Sequence, residues 1–261
     1  MKGSIHVETY GDGDREIVIC NGLSQSTANW RGIARQNPGL RWILYDVRGH
    51  GKSSVGPTPY SLDGHVDDLI QVLDAHSKGK PFLMGFSHGA RIALRASATH
   101  GLRFRGLILV SCGAERTPRR LAYLRSWERC LHLGGVEALA WASLPAIVGR
   151  KVLEKFPDLG LLVKGTVSRN QAQGLKATFA AMEDYPPVRE DALRVTLPTL
   201  ILRGAEDPVV DEEDLRQLGS WIPEAMLEVF PYCGHTLPLE EPESFFETLI
   251  SFMDRTLANP P

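Results

Sequence analysis

Leu83-Met84-Gly85-Phe86-Ser87-His88-Gly89-Ala90 is the stretch on which the reading of this chain turns. An apolar run closes at Met84, a Gly-x-Ser-x-Gly follows, and Ala90 to Ala98 reads as a helix. A sharp strand-to-helix turn forces its central serine into a strained backbone conformation, and glycines two residues to either side remove Cβ atoms that would clash. The Ser87 hydroxyl then stands above the sheet, close to helix N-terminal amides that favour negative charge. The motif alone is weak, because composition would produce one in about one chain in seven. A serine that merely caps the helix is the competing reading, and residues further along must choose between the two.

Working outward, short runs rich in β-branched residues alternate with amphipathic stretches, the pattern of a mostly parallel sheet covered by helices. The expected strands are Ile5 to Thr9, Glu16 to Cys20, Trp42 to Tyr45, Phe82 to Phe86, Leu107 to Val110, Thr199 to Arg203 and Leu227 to Phe230. The first two are expected to pair as a hairpin across Gly11-Asp12-Gly13. Ser61 to Ala75 carries Leu62, Val66, Leu69, Ile70 and Leu73 at helical spacing, with Ser61 as N-cap. From about Ala114 to Val195 the alternation stops. That segment reads as helices broken at Gly134-Gly135, Pro145, Pro157 and Pro186-Pro187, and the alternation resumes at Leu197. Residues 1–113 and 196–261 are therefore expected to form one catalytic core, with 114–195 a helical lid inserted over the strand ends.

Two downstream segments carry the chemistry. Leu200 to Pro208 is an apolar strand running into a loop that holds Glu206 and Asp207, with Asp211 three residues beyond Pro208 as the expected N-cap of a helix to Leu218. His235 lies in Cys233-Gly234-His235-Thr236, after the last strand and before a helix expected to begin near Glu240. Imidazole is the group that removes a serine proton near neutral pH. The other seven histidines lack this setting.

At these residues the chain resembles the α/β-hydrolase superfamily. The resemblance rests on Asn21-Gly22-Leu23, on Asp46-Val47-Arg48-Gly49-His50-Gly51-Lys52-Ser53, on the turn at Ser87, and on Asp207 with His235, and it covers nearly everything outside the lid. It implies an α/β-hydrolase fold with Ser87 as nucleophile, His235 as general base and Asp207 as the acid that orients it, in the chain order this fold requires. It also implies an oxyanion hole made by the backbone amides of Leu23 and His88. Asn21 stands where the family usually has histidine; a backbone donor survives that change. The side chain of His88 is read as filling space and His50 as structural.

The implied activity is hydrolysis of a small-molecule carboxylic ester or thioester through an acyl-enzyme. The alternatives are a carbon–carbon bond hydrolase or lyase on the same fold, and a non-catalytic relative that only binds a ligand. Leu23 and His88 do not fit the haloperoxidase pattern of an aromatic residue at the first position and methionine at the second. Arg116, Arg119, Arg120, Arg125 and Arg129 crowd the start of the insertion, opposed there by Glu115 and Glu128. A solvated helix face is the simpler reading. The sharper one makes Arg119, Arg120 and Arg125, with Arg91, a binding surface for an acidic substrate or an acyl carrier protein.

Several classes are excluded. A net charge of −2 with 23% charged residues gives no electrostatic case for nucleic acid or a membrane surface. No apolar run is read as approaching a membrane span, and charges within the first twenty residues interrupt any secretory signal, so a cytoplasmic protein is expected. Four scattered cysteines make no metal or redox motif. Gly51-Lys52-Ser53 fails as a phosphate-binding loop because Asp46 replaces its first glycine, and neither Gly49-x-Gly51 nor Gly11-x-Gly13 completes a dinucleotide fingerprint, so no cofactor is implied.

Overall fold

The structure, a computed structural model, describes residues 3–259. The apolar runs form the strands β1 Val7–Tyr10, β2 Glu16–Cys20, β3 Arg41–Tyr45, β4 Phe82–Phe86, β5 Leu107–Val110, β6 Thr199–Gly204 and β7 Met226–Phe230. They assemble in the order β1-β3-β2-β4-β5-β6-β7, with β1 antiparallel to β3 and every other pair parallel. The expected hairpin between β1 and β2 does not form. β3 stands between them, and Gly11 and Gly13 instead give close approach to the turn before β3, where an added Cβ would lie 2.1 Å from Leu40 O and 2.0 Å from Gly39 O.

Helices α1 Arg31–Gln36, α2 Leu62–His76, α3 His88–His100, α9 Glu212–Trp221 and α11 Pro242–Ala258 cover the sheet, and the short α10 Leu237–Glu240 precedes α11. Alternation along each strand divides the core between two faces. Val18, Leu83, Leu109 and Ile201 pack with α2, α3 and α9, while Ile17, Ile19, Met84 and Leu200 pack with α1 and α11. The N-caps follow the sequence. Ser61 Oγ accepts from Gly64 N at 3.0 Å, and Asp211 Oδ1 accepts from Asp214 N at 3.1 Å.

Between β5 and β6 the chain is helical: α4 Pro118–Ile147, α5 Arg150–Lys155, α6 Leu159–Arg169, α7 Ala172–Glu183 and α8 Val188–Ala192. Gly134 and Gly135 leave helical geometry and kink α4, with Gly135 at φ 69°. Pro145 does not break the helix as expected. It sits two residues before the end, where it removes one hydrogen bond of the last turns, and the helix closes with Val148 N donating to Leu144 O at 3.0 Å. α4 is also long and apolar enough to cross a membrane by length and composition, contrary to the sequence reading. Here Trp127, Leu131 and Leu139 on α4 are buried with Leu175 and Phe179 on α7.

The loop after β3 shows why the Asp46-to-Ser53 segment has its composition. Asp46 Oδ1 accepts from Thr27 N at 2.6 Å and Oδ2 from Lys52 N at 2.8 Å. Gly51 lies so close to that carboxylate, at φ 53°, that a Cβ would sit 2.2 Å from Oδ2. His50 is buried in this loop, in keeping with a structural role. It stacks on His88 with centroids 6.3 Å apart, and His65 of α2 meets His88 edge-on at 5.6 Å.

Neither ring nitrogen of His65 has a hydrogen-bond partner among the described residues. Burial first, then the neighbouring His50 and Arg48, push its pKa down to about 3. The folded protein therefore keeps His65 neutral where the unfolded chain, with an ordinary histidine pKa of about 6.5, takes up a proton. Stability from this site is complete above pH ~6.5 and is lost as pH falls from there toward the folded value, with a slope of up to about 1.4 kcal/mol per pH unit. Denaturant unfolding between pH 7 and pH 5 should show the decline, and His65→Phe should make it shallower, with the buried His50 and His88 supplying the remainder; an unchanged slope would refute the assignment.

Candidate active site

β4 and β2 run in parallel with Gly85 opposite Cys20, so the loops leaving both strands emerge side by side. After β4 the backbone turns at Ser87, with φ 51° and ψ −113°, and enters α3 at the next residue. Such a conformation costs a non-glycine residue of order 1–3 kcal/mol and persists only where the surroundings enforce it. They do so here. A Cβ on Gly85 would lie 2.4 Å from Gly89 O, and one on Gly89 would lie 2.0 Å from Cys20 O, so both glycines are required for the helix to start this close to β2. Ser87 N donates to Val110 O at 2.9 Å and anchors the turn to β5.

Asp207 and His235 come from the loops after β6 and β7, which pair at Gly204 and Phe230. His235 Nε2 lies 2.8 Å from Ser87 Oγ, and its Nδ1 lies 2.7 Å from Asp207 Oδ2. The other oxygen, Asp207 Oδ1, accepts from Val209 N at 2.8 Å and Val210 N at 3.0 Å, which fixes the carboxylate in its loop. Asp207 and His235 are buried and Ser87 is half-buried, so the chain of hydrogen bonds opens to solvent at its serine end. The structure separates the three acidic candidates. Glu206 turns outward to Arg150 at 3.0 Å, Asp211 caps α9, and only Asp207 meets the imidazole.

Sequence reasoning missed the groups that hold His235. Ser111 Oγ donates to His235 O at 2.9 Å, while Glu240 accepts from Gly234 N at 2.9 Å and Gly149 N at 3.2 Å. Phe86 meets the imidazole edge-on with centroids 5.4 Å apart. Ser111 is detectable only as the residue after β5, and Glu240 carries no signal in the sequence at all.

Leu23 lies in the Gly22–Gln25 turn after β2, where Gln25 N donates to Gly22 O at 3.1 Å. Neither the Leu23 amide nor the His88 amide is engaged in a hydrogen bond among the described residues. Asn21 points its side chain away from this turn: Oδ1 accepts from Trp30 Nε1 at 2.7 Å, and Nδ2 donates to Tyr45 O. His88 is buried, with Nε2 3.0 Å from Tyr185 Oη, and burial together with His65, His50 and Arg91 pushes its pKa down. The space-filling reading of its side chain fits this packing.

Two cavities, of about 160 and 410 Å³, share Leu23, Ser87, Trp127 and His235 in their walls. Arg91 and Arg120, two arginines of the expected binding surface, line the larger one, but both are held by protein groups. Arg120 pairs with Asp214, while Arg91 donates to Pro186 O at 2.9 Å and lies 3.6 Å from Asp191. Arg119 and Arg125, the other two arginines of the expected binding surface, lie outside both cavities. Both are exposed; Arg119 lines neither cavity, and Arg125 lines a separate groove between α4 and α7, because helical spacing turns them to the outer side of α4. Among the described residues no cluster of three or more histidines, cysteines or acids is arranged to hold a metal.

The pattern of the alpha/beta hydrolase family matches residues 17–248. 3-Oxoadipate enol-lactonase 2 of Acinetobacter baylyi is 24% identical over 257 residues, covering 97% of this chain and 94% of its own. 2-Hydroxymuconate semialdehyde hydrolase of Pseudomonas putida is 29% identical over 240 residues, covering 85% and 80%. The crystal structure of the enol-lactonase from Burkholderia xenovorans superposes with a TM-score of 0.86 at 20% identity, covering 97% of both chains. With the parallel sheet, the strained serine between β4 and α3 and a family match across most of its length, this chain belongs to the alpha/beta hydrolase family.

Proposed function

We propose that the protein is a serine hydrolase that cleaves a small carboxylic ester, a lactone or a thioester through an acyl-enzyme. The observation that carries this is the unbroken run from Asp207 through His235 to Ser87, at 2.7 and 2.8 Å, ending on a serine at the junction of two cavities. The cavities suit a small molecule, and the helices of residues 114–195 act as the lid: α4 walls both cavities, α6 the smaller, and Met182 of α7 the larger.

In this mechanism Ser87 Oγ attacks the carbonyl carbon as His235 Nε2 takes its proton. The Nδ1–H of His235 donates to Asp207, which holds the tautomer and steadies the imidazolium that forms. The oxyanion forms beside the amides of Leu23 and His88, at the positive end of α3. Collapse breaks the bond to the leaving group, which carries away the proton from His235. Water then attacks the acyl carbon, gives its proton to His235, and releases the acid while the proton returns to Ser87 Oγ. A second reading, cleavage of a carbon–carbon bond, draws on the relative named for a semialdehyde, which is not an ester. Turnover of p-nitrophenyl esters at rates typical of enzymes favours the first reading, and labelling of Ser87 without ester turnover favours the second.

Stoichiometric modification by a fluorophosphonate should map to Ser87, and Ser87→Ala should abolish both labelling and turnover while leaving the unfolding transition in place. Hydrolysis retained above a few per cent of wild type would refute the nucleophile assignment.

Asp207→Asn should keep the packing but favour the wrong imidazole tautomer, and kcat should fall by roughly four orders of magnitude. Glu206→Gln and Asp211→Asn should each stay within about threefold of wild type, because neither carboxylate reaches His235. A collapse of kcat in Asp211→Asn alone would move the acid four residues along the chain.

A further inference from the structure

Four arginines reach the two cavities that meet at Ser87, and the protein has already engaged three of them. In the larger cavity Arg120 faces Asp214 and the carbonyls of Glu115 and Val209. Arg116 donates to the carbonyls of Met182, Glu183 and Tyr185 at 2.8–2.9 Å. Arg91 has Pro186 O and the charge of Asp191. Arg169 differs. It closes α6 and lines the smaller cavity with Ser87 and His235, yet among the described residues its side chain makes neither a salt bridge nor a hydrogen bond, and its Nε is sealed from solvent without an acceptor. No aspartate or glutamate lines that cavity.

The placement of Arg169 is built into the fold. Asn170 Nδ2 donates to Ser24 O at 2.8 Å, which ties the end of α6 to the loop carrying Leu23. One turn earlier Gly165 leaves room for the guanidinium to lie back along the helix, since a Cβ there would come within 3.1 Å of Nη1. Burial without a counter-charge, with Arg31 nearby, pulls the pKa of Arg169 below the usual arginine value. Arginine nonetheless stays charged. A partly buried cation without a partner is a cost to the folded protein unless a ligand relieves it.

We propose that Arg169 binds a carboxylate carried by the substrate, so that the enzyme selects esters or lactones bearing a second, anionic group. The planar guanidinium fork pairs with a carboxylate through two parallel hydrogen bonds, and the rest of this narrow cavity is largely apolar, with Leu139, Leu144, Val163 and Leu239 in its walls. The assignment rests on the hydrolase reading above and adds to it what the substrate carries.

The test compares kcat/KM for matched esters: mono-p-nitrophenyl glutarate against p-nitrophenyl pentanoate, and 3-acetoxybenzoate against phenyl acetate, so that the carboxylate sits on the acyl side or the leaving side. Wild type should favour the anionic member of at least one pair by about tenfold or more, mainly through KM, and added salt should shrink the preference. Arg169→Gln should abolish that preference, Arg169→Lys should keep part of it, and Lys164→Gln, which removes an exposed charge from the same helix, should leave it intact. Without reliance on turnover, glutarate should slow fluorophosphonate labelling of wild type more than neutral glutaramide does, and should lose that advantage in Arg169→Gln. Normal labelling of Ser87 with no anionic preference in either assay, or a preference that survives Arg169→Gln, would overturn the role of Arg169 alone. Failure of Ser87 to label would overturn the hydrolase reading on which it depends.

Discussion

The close approach of α3 to the end of β2 is the constraint from which the rest of the site follows. Gly89 lies against the Cys20 carbonyl, and the chain between β4 and α3 has room for a single residue, so Ser87 must take a left-handed backbone conformation. That conformation lifts the hydroxyl out of the sheet and brings the first amides of the helix next to the loop leaving β2. Strand order does the rest. Because β2, β4, β5, β6 and β7 lie side by side, the loops carrying Leu23, Ser87, Ser111, Asp207 and His235 line one edge in sequence. Parallel pairing sends all of them to the same end.

The loops would wander without their ties. Both oxygens of Asp207 are committed, one to two backbone amides and one to the imidazole, so the carboxylate cannot swing away from His235. His235 is held from behind by Ser111 and its loop by Glu240, whose carboxylate also takes the Gly149 amide between α4 and α5. Glu240 thus fastens the inserted helices to the loop that carries the histidine, and Thr236 N adds a bond to Ile147 O at 3.0 Å. Movement of the insertion would be felt at the imidazole.

The inserted helices also set the electrostatics of the site. The insertion supplies Arg116, Arg120 and Arg169, while among the described residues Glu115 is the one acidic side chain in either cavity wall. Asp214 and Val209 O balance Arg120, which ties α4 to the core, and the carbonyls of Met182, Glu183 and Tyr185 hold Arg116. The unbalanced part lies at the end of α6, beside the loop of Leu23, where a bound anion would be held within reach of the serine.

How much could be read without the structure depended on how local each feature is. β2, β4 and β5 fall within the residues expected, because a continuous apolar run bounded by turn residues is a local signal. The caps at Ser61 and Asp211 were equally legible, since an N-cap is answered by an amide three residues away. The glycines around Ser87 and the order serine, aspartate, histidine pointed to the same three residues that the fold brings together. The pairing of β1 was not legible, because alternation marks which face of a strand is buried and says nothing of which strand lies beside it. The choice of Asp207 over Glu206 and Asp211 rested on the family resemblance, because within the sequence these are three nearby carboxylates that differ only in what they reach. Asp207 is 28 residues from His235 and Ser87 is 148, and contacts at such separations exist only once the sheet is assembled. Arg169 shows the limit most clearly: in the sequence it is an arginine at a helix end, and its lack of a partner is a property of the cavity around it.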